Sequence, residues 1–302
     1  MSAKATWLTG SGGFIGRHLV RVLRERSQPS IYLTNNPAHA TREGTVVSGF
    51  QDRLRLRGLL ATAGVPAAFI HLGWGAMEDP GAAEHLTQNV ADAKALIDVM
   101  FDAGVPTFVF VGSTNEYGAR TGLLREDMPA EGHMTNYALG KAAVTAYGIE
   151  QAHLRQRTFV AARVFYTYGA GQRAGSLINK LVRCRNEGVN PDLGPCDHFR
   201  DYIHAADVAA GLARCCAVRE TGVINLGSGT CWQVKEFVTL FWRELGGESD
   251  ALHFGANPMR AGEPEQPRSF ASLAKLQRLT GWRPELTLDE GIRLTIHMLR
   301  GN

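Results

Sequence analysis

Cysteine is scarce in this sequence, and its positions offer no pattern for a metal or a disulfide. The five cysteines all lie in the second half of the 302 residues, and no two of them form a C-x-x-C pair. An odd number with this spacing argues against a zinc site and a disulfide framework. Unpaired cysteines are typical of a reducing compartment, so we expect a cytoplasmic protein without a bound metal.

The sequence also lacks an excess of either charge and any long apolar run. Lys and Arg number 32 and Asp and Glu number 29, a balance that gives no reason to expect a nucleic-acid partner. No apolar run reaches the ~20 residues that a membrane-spanning helix needs, and the first residues lack the apolar core of a secretory signal. We therefore expect no membrane partner, while the 44% of hydrophobic residues can bury a large core.

Internal repeats are absent as well, and short apolar runs alternate with helical patterns. The runs lack interleaved polar residues, which is typical of strands buried on both faces of a parallel sheet. The predicted strands cover Thr6–Thr9, Ile31–Thr34, Thr45–Ser48, Ala67–Leu72, Thr107–Gly112 and Thr158–Phe165, and the predicted helices cover Gly16–Arg26, Leu54–Ala63, Ala82–Ala103 and Tyr137–Gln156. This alternation predicts an α/β fold with a doubly wound parallel sheet.

A glycine-rich turn lies between the first predicted strand and the first predicted helix. It reads Thr9-Gly10-Ser11-Gly12-Gly13-Phe14-Ile15-Gly16. Glycines allow a tight turn and a close approach of the backbone to a pyrophosphate, and the following helix presents free N–H groups to it. Strand, turn and helix in this order predict the dinucleotide site of a Rossmann-type sheet; a purely structural turn is the alternative.

Residues 1–165 are therefore predicted to form an NAD(P)-binding domain. After about residue 166 the sequence becomes richer in glycine, proline and loops. Ligands of open α/β sheets bind at the carboxyl ends of the strands. We expect residues 166–302 to form a smaller mixed region that binds substrate at this edge, with a segment near 203–228 returning to the first domain.

The end of the second predicted strand lacks a carboxylate. The strand is followed by Thr34-Asn35-Asn36, whereas NAD-binding sheets commonly carry an Asp or Glu there for the ribose hydroxyls. An acid would repel a 2′-phosphate, while Asn35 and a nearby cation such as Arg42 or Arg53 could accept it. This favours NADP(H); NAD(H) stays possible, because some NAD enzymes lack the acid too.

A proton-transfer pair follows near the middle of the chain. Tyr137 and Lys141 are four residues apart and would share one face of a helix. We expect the lysine charge to lower the tyrosine pKa, which near 10 is poorly matched to acid–base work. Ser113 follows an apolar strand and could polarise a carbonyl; capping a turn is its alternative role. The three residues predict hydride transfer to a ketone, with Tyr137 protonating the alkoxide.

These motifs resemble the extended short-chain dehydrogenase/reductases that act on nucleotide sugars, the NAD-dependent epimerase/dehydratase family. The resemblance covers nearly the whole chain. Its further pieces are His71-Leu72-Gly73, Asn89, Tyr117-Gly118, Arg163-Val-Phe-Tyr-Thr-Tyr-Gly169, Arg200-Asp201-Tyr-Ile-His204 with Asp207-Val208, Asn225-Leu-Gly-Ser-Gly229, Arg260-Ala-Gly-Glu263 and a C-terminal signature from Ala271 to Gly291.

The resemblance implies a role for each matching position. Besides Asn35 and Arg42, the cofactor would be bound by Thr9, Gly10, Gly13, Phe14, Ile15, Gly16, Leu72, Asn89, Tyr137 and Lys141. The nucleotide sugar would be bound by Thr114, Asn115, Tyr166, Arg200 and Arg260. The two arginines would contact its diphosphate, because guanidinium binds phosphate bidentately; an ion pair with Asp201 or Glu263 is the alternative for each. His204 and Asp207 are expected to fix structure.

Departures from the family pattern bear on the reaction. Relatives that remove water carry an acidic pair at the positions of Thr114 and Asn115, and relatives that epimerise carbons 3 and 5 carry a cysteine at Asn115. Neither threonine nor asparagine can serve as the acid or base of an elimination. We predict NADPH-dependent reduction of a nucleotide-linked 4-keto-6-deoxyhexose. A 4-epimerase with tightly bound NAD is the alternative, and a non-catalytic NADP sensor is the more remote one.

A homodimer is also expected, because two of the predicted helices pair with their counterparts in family dimers. These are the helices Ala82–Ala103 and Tyr137–Gln156. The first carries an apolar stripe at helical spacing, formed by Leu86, Val90, Ala93, Ile97 and Met100. Ordinary packing on the sheet is the alternative role of this stripe.

Overall fold

The computed structural model describes residues 4–39, 45–258 and 268–300. Strands in these ranges are β1 (Thr6–Thr9), β2 (Ser30–Thr34), β3 (Thr45–Val47), β4 (Ala68–His71), β5 (Thr107–Ser113), β6 (Gly122–Leu124), β7 (Thr158–Val164), β8 (Tyr166–Tyr168), β9 (Phe199–His204), β10 (Gly222–Leu226), β11 (Cys231–Gln233) and β12 (Ser269–Ala271). Helices are α1 (Phe14–Glu25), α2 (Arg53–Ala63), α3 (Gln88–Asp102), α4 (Asn136–Arg155), α5 (Leu177–Glu187), α6 (Ala205–Cys215), α7 (Val234–Glu244), α8 (Ala274–Thr280) and α9 (Leu288–Arg300).

Seven parallel strands form the central sheet, in the order β3-β2-β1-β4-β5-β7-β10. The order reverses at β1, because β2 and β3 lie on one side of it and the later strands lie on the other. The carboxyl ends of β1 and β4 therefore flank the crevice where open α/β sheets bind ligands. This arrangement confirms the predicted α/β fold with a Rossmann-type doubly wound sheet.

Helices cover both faces of the sheet, and successive side chains of a strand pack alternately into the cores on the two faces. On β1, Trp7 packs into the core beneath α2, α3 and α4, while Leu8 packs into the core beneath α1 and α6. Side chains alternate across a strand, so a strand buried on both faces must be apolar at consecutive positions. That is the pattern from which the central strands were predicted.

The predicted helix over residues 82–103 is split in the structure. A 3₁₀ turn, Ala83–His85, comes first, and α3 begins only at Gln88. The break follows from His85, whose ring is buried and donates from Nε2 to the Asp79 carbonyl oxygen at 2.9 Å. This inward bond holds the chain in a tight turn before the helix starts.

The apolar stripe of this segment packs mainly within the chain. Ala93, Ile97 and Met100 are fully buried against the sheet, and Leu86 is 43% exposed. The stripe therefore packs on the sheet, as one face of any helix that covers a sheet does. It gives no separate support for a dimer.

The second half of the chain builds a smaller mixed region and also completes the central sheet. β8, β9 and β11 form a three-stranded sheet with parallel and antiparallel pairs, and β6 pairs with β12. α5, α7 and α9 surround a core of their own. β10 is the outermost strand of the central sheet and α6 packs against α1, so the chain does return there; the division at residue 165 stays a prediction.

No helix within the described ranges is long and apolar enough to cross a membrane.

Candidate active site

The glycine turn closes tightly at the N-terminus of α1. Gly13 N–H donates to the Gly10 carbonyl oxygen at 3.0 Å, and a side chain at Gly16 would collide with that same oxygen. Gly10 has φ +72°, a conformation that favours glycine. Gly12 faces open space, and no side chain caps α1. The first N–H groups of the helix are free to bind phosphate oxygens, so this turn fits a dinucleotide.

Thr9 ties the glycine turn to the carboxyl end of β4. Its hydroxyl lies 2.7 Å from His71 Nδ1 and accepts a hydrogen bond from Gly73 N–H at 3.0 Å. A side chain at Gly10 would lie 2.8 Å from Gly73 N, so the two loops meet backbone to backbone, beside the half-buried Leu72. These contacts fix the crevice in which the cofactor residues were predicted.

The end of β2 presents an exposed amide. Asn35 is exposed where β2 ends, as expected from the sequence. Arg53, one of the two cations considered for a 2′-phosphate, donates instead to Asp98 at 2.8 Å. Arg42, the other cation, lies outside the described residues. Asn35 therefore stays a candidate for binding the cofactor, whereas Arg53 forms an ion pair with Asp98.

Ser113, Tyr137 and Lys141 come together at the carboxyl end of β5. Ser113 is the last residue of that strand, and Tyr137 lies in the first turn of α4, where Thr135 accepts the N-capping hydrogen bond. The Ser113 side chain lies close enough to Tyr137 to lower the tyrosine pKa. Lys141 follows one turn later, with Nζ 5.8 Å from the centre of the Tyr137 ring. The three predicted catalytic side chains thus share one site.

The electrostatics of this pair differ from the sequence-based expectation. Burial raises the pKa of Tyr137 above its usual value near 10, the neighbouring Ser113 side chain lowers it and Glu116 raises it. Burial also lowers the pKa of Lys141 to about 7, against the attraction of Glu116. The prediction that Lys141 lowers the tyrosine pKa was wrong for the chain's own groups, because desolvation is the largest effect on both side chains. The phenol is held protonated, as a proton donor requires.

Glu116 is a buried carboxylate behind the serine that sequence reasoning missed. Its Oε1 accepts from Ser113 N–H at 2.8 Å, and its Oε2 accepts from the Thr145 hydroxyl at 3.0 Å and from Arg163 Nε at 3.3 Å. A side chain at Gly112 would lie 2.5 Å from Oε1. Glycine before the serine therefore makes room for this carboxylate, which holds the Ser113 backbone in place.

Trp74 and His85 form a second group that sequence reasoning missed. The Trp74 ring centre lies 3.8 Å from Lys141 Nζ, and its Nε1–H donates to His85 Nδ1 at 2.9 Å. The His85 ring stands edge-to-face against Tyr137, with 5.3 Å between ring centres. Neither residue lies at a helical spacing from the catalytic pair, so only the folded chain brings them together.

Asn89, predicted to bind the cofactor, uses its amide on the chain itself. Its Oδ1 accepts from Gly75 N–H at 2.9 Å, while Nδ2 donates to the Gly75 carbonyl oxygen at 3.2 Å and lies 3.3 Å from His85 Nδ1. The Asn89 amide thus supports the loop that follows β4 and carries Trp74. The direct contact of Asn89 with the cofactor stays a prediction.

Arg200 and Tyr166, both predicted to bind substrate, lie against each other. They sit on the adjacent strands β9 and β8, and the guanidinium carbon lies 4.3 Å from the centre of the Tyr166 ring. Arg200 is buried and donates to the Phe199 carbonyl oxygen at 3.0 Å. A guanidinium held against an aromatic ring can still present remaining N–H donors to a phosphate, which it binds bidentately.

Asp201 does not form the alternative ion pair with Arg200. Its carboxylate accepts from Ser228 N–H and the Ser228 hydroxyl at 2.6 Å each, from Gly229 N–H at 3.0 Å and from Ala271 N–H at 2.9 Å. Asp207 similarly accepts from the backbone N–H groups of residues 285 and 286. Both acids join distant loops, as was expected of Asp207.

The two positions after the serine carry no acid. Thr114 is half-buried and Asn115 is exposed in the 3₁₀ turn Thr114–Tyr117. Asn115 N–H donates to Ser113 Oγ at 3.2 Å, so the serine also caps this turn. Arg260 and Glu263 lie outside the described residues.

Comparison with known proteins gives one family match. The profile described as the NAD dependent epimerase/dehydratase family matches residues 7–227. These residues run from β1 to the end of β10 and so include the whole central sheet.

Two curated relatives of similar length catalyse different reactions, by their names. UDP-glucose 4-epimerase of Erwinia amylovora is 27% identical, over 95% of each chain. GDP-6-deoxy-D-mannose reductase of Pseudomonas aeruginosa is 26% identical, over 95% of this chain and 94% of the relative. Because the two sequence identities are nearly equal, they do not show which of the two reactions this chain catalyses.

A solved structure, MoeE5 in complex with UDP-glucuronic acid and NAD, matches at a TM-score of 0.81 with 26% identity. The alignment covers 98% of this chain and 99% of that one. The similarity therefore includes the smaller mixed region as well as the central sheet.

Proposed function

The chain belongs to the NAD dependent epimerase/dehydratase family, and we propose that it reduces the 4-keto group of a nucleotide-linked 4-keto-6-deoxyhexose with NADPH. One observation carries the proposal. A protonated Tyr137 on α4 lies beside Ser113 at the carboxyl end of β5, while Thr114 and Asn115 supply no acid–base pair beside them. Such a site can protonate a reduced carbonyl but cannot assist removal of water.

The side chains divide the work of the reaction. The nicotinamide, when bound, supplies the hydride. Ser113 donates a hydrogen bond to the carbonyl oxygen, and Tyr137 gives its proton to the same oxygen as negative charge develops there. The raised pKa of Tyr137 keeps that proton available at neutral pH. Glu116 holds the Ser113 backbone through its bond to the N–H group.

NADPH is proposed from the residues at the end of β2. Asn35 is exposed there, in a position where a carboxylate would repel a 2′-phosphate. Replacing Asn35 with Asp should shift the ratio of kcat/KM for NADPH over NADH toward NADH by roughly tenfold, since a unit charge a few ångströms from the phosphate is worth ~1–4 kcal/mol. Asn36→Asp serves as the neighbouring control, because the Asn36 side chain already bonds Ala38 N–H. An unchanged ratio in Asn35→Asp would contradict the assignment.

A nucleotide sugar is proposed as the substrate because the mixed region contains a buried arginine, Arg200. Arg200 and Tyr166 offer a guanidinium held on an aromatic ring, which suits a diphosphate. UDP-sugars are bound in the related MoeE5 structure, and a GDP-sugar reductase is among the relatives. Scarce, unpaired cysteines are consistent with a cytoplasmic enzyme.

The decisive test is NADPH consumption. Purified protein is mixed with NADPH or NADH and a panel of nucleotide-linked 4-keto-6-deoxyhexoses, and absorbance is followed at 340 nm. Loss of NADPH with one substrate is expected. Conversion of a 4-hydroxy sugar nucleotide without net use of added cofactor would contradict the reductase proposal.

A 4-epimerase with tightly bound NAD is the second candidate. It uses the same Ser113, Tyr137 and Lys141, and a UDP-glucose 4-epimerase is among the relatives. Its first step, oxidation of the sugar, needs Tyr137 as a base, so the positive charge of the bound oxidised nicotinamide would have to lower the raised pKa of Tyr137. Release of NAD from the denatured protein, with interconversion of UDP-, GDP- or CDP-linked 4-hydroxy sugars, would identify this activity.

We also propose a homodimer through α3 and α4, by analogy with the family. The exposed face of α4 includes Leu139, which is 43% exposed. Light scattering at micromolar concentration is expected to give twice the 32.8 kDa of one chain; a species of single-chain mass would refute the dimer.

A further inference from the structure

The Lys141 ammonium is buried in a largely aromatic environment. The residue is 3% exposed, and its Nζ donates to the Val111 carbonyl oxygen at 2.8 Å. The Trp74 ring centre lies 3.8 Å away and the Phe110 ring centre 4.7 Å away. The face of an indole attracts a cation, most strongly where water is excluded, so Trp74 can replace part of the hydration that Lys141 loses.

His85 determines the orientation of that indole. The two rings are nearly coplanar, 14° apart with centres separated by 6.3 Å, as an in-plane N–H···N bond requires rather than a face-to-face stack. His85 Nε2 lies 2.9 Å from the Asp79 carbonyl oxygen, which can only accept. Nε2 therefore carries the hydrogen, and Nδ1 is the acceptor for the Trp74 N–H at 2.9 Å.

α4 is shaped to admit this pair. A side chain at Gly140 would collide with the His85 carbonyl oxygen and would lie 3.3 Å from Trp74 Cζ2. Gly140 immediately precedes Lys141 in the Tyr137–Lys141 turn. The close approach of the tryptophan loop to the catalytic helix thus depends on a glycine inside the catalytic motif itself.

We propose that Trp74 and His85 are positioning residues of this site: His85 fixes the indole, and the indole holds the Lys141 side chain in place as a cation. The inference rests on the proposed function only for its activity measurement. The lysine would then keep its positive charge beside the reacting groups and the cofactor ribose.

The groups that face Lys141 define what a change at Trp74 should do. Glu116, on the turn after β5, favours the charged lysine, while burial lowers the lysine pKa to about 7. His71 on β4 has its pKa lowered to about 3 by burial and by Lys141, and Tyr137 has its pKa raised, so both are uncharged near neutral pH. His85 approaches from the 3₁₀ turn in the tautomer described above. Burial lowers the Lys141 pKa, and the indole face opposes this effect by attracting the cation. Without the indole, Lys141 therefore loses its proton at lower pH.

Nuclear magnetic resonance titration of the lysine Cε signal tests this directly. The Lys141 signal is assigned by its loss in Lys141→Met, and no substrate or cofactor is needed. Trp74→Leu should lower the Lys141 pKa by about one unit, and Trp74→Phe by less, because a smaller ring face remains. His85→Leu should lower the Lys141 pKa as Trp74→Leu does. His85→Gln keeps a hydrogen-bond acceptor and a donor, so its Lys141 pKa should stay near the wild-type value.

The pH profile of kcat/KM gives the second measurement. The alkaline limb should move to lower pH in Trp74→Leu by the same amount as the Lys141 pKa, with thermal unfolding used to verify that each variant is folded. Leu54→Ala, on the exposed side of α2, is the control and should change neither quantity.

The outcomes separate the two proposals. If the Lys141 pKa is unchanged in folded Trp74→Leu, the positioning role is overturned, whatever the enzyme reduces. If that pKa falls but no 4-keto sugar is reduced by the wild type, the inference stands and the proposed function fails. An unchanged pKa in His85→Leu would remove His85 from the proposal.

Discussion

Tyr137, the proposed proton donor, is the residue whose replacement would distinguish an enzyme from a cofactor-binding protein on the same fold. Tyr137→Phe removes the phenol hydroxyl and keeps the ring that packs against His85. Turnover should fall by roughly 10²–10⁴-fold, the usual contribution of a positioned general acid, while the Kd for NADPH changes little. Stopped-flow reduction and cofactor titration measure the two quantities. Thr62→Val, at an exposed site on α2, is the control; full turnover in Tyr137→Phe would contradict the assigned role.

At the scale of residues, the sequence predicted which candidate catalytic side chains lie together better than it predicted their surroundings. Ser113, Tyr137 and Lys141 were recognisable because a strand end and a helical turn fix their spacing. Trp74 lies before α3 and Lys141 lies in α4, so their contact joins distant parts of the chain, and no local period encodes such a contact. The pKa values were mispredicted for a similar reason: burial dominates them, and burial depends on the whole fold.

At the scale of elements, two helical glycines form a matched pair. Gly148 in α4 faces β7, and a side chain there would collide with the Phe159 ring. Gly58 in α2 has open space around its missing side chain. We expect Gly148→Ala to lower the free energy of unfolding by about 1–3 kcal/mol through overpacking, and Gly58→Ala to raise it by about 0.5–1 kcal/mol through helix propensity.

Urea denaturation of both variants measures the two changes. Each substitution adds the same methyl group to a helix interior, so helix propensity alone would stabilise both proteins. Equal stabilisation would therefore show that α4 does not pack on β7 as closely as described.

Six of the seven central strands were predicted as elements from their apolar runs; β10, which lies in the second half of the chain, was not. The strands β6, β8, β9, β11 and β12 were not predicted either. Four of these five have three residues each, too few for a period, and the partner of such a strand can be far away in the chain, as Ser269–Ala271 is from Gly122–Leu124. Pairing of this kind is decided by tertiary structure.

At the scale of the whole molecule, buried histidines make the fold sensitive to acid. His71 lies beneath the crevice at the end of β4, and its pKa is lowered by burial to about 3. His204 joins β9 to α6, and its pKa is lowered by burial and by His18 to about 4. Both rings are essentially inaccessible to solvent, so each must stay uncharged while the chain is folded.

The sign of the effect follows from proton uptake. Below pH 6.5 the unfolded chain binds a proton at each of these histidines and the folded chain does not, so stability is full above pH 6.5 and is lost as pH falls. Each histidine contributes about 1.4 kcal/mol of this loss by pH 5.5, and the two together about 3 kcal/mol. Asp201, whose pKa burial raises, acts in the opposite sense, so the histidine contribution must be isolated by substitution.

Urea denaturation at pH 7.5 and pH 5.5 makes that comparison. In His204→Gln the loss of stability between the two pH values should shrink by about 1.4 kcal/mol, because one differentially titrating group has been removed. His297→Gln, on the exposed side of α9, should leave the loss as it is in the wild type. If His204→Gln and wild type lose the same free energy, His204 must take up its proton in the folded state. The junction between the central sheet and the mixed region would then be more open to water than its contacts indicate.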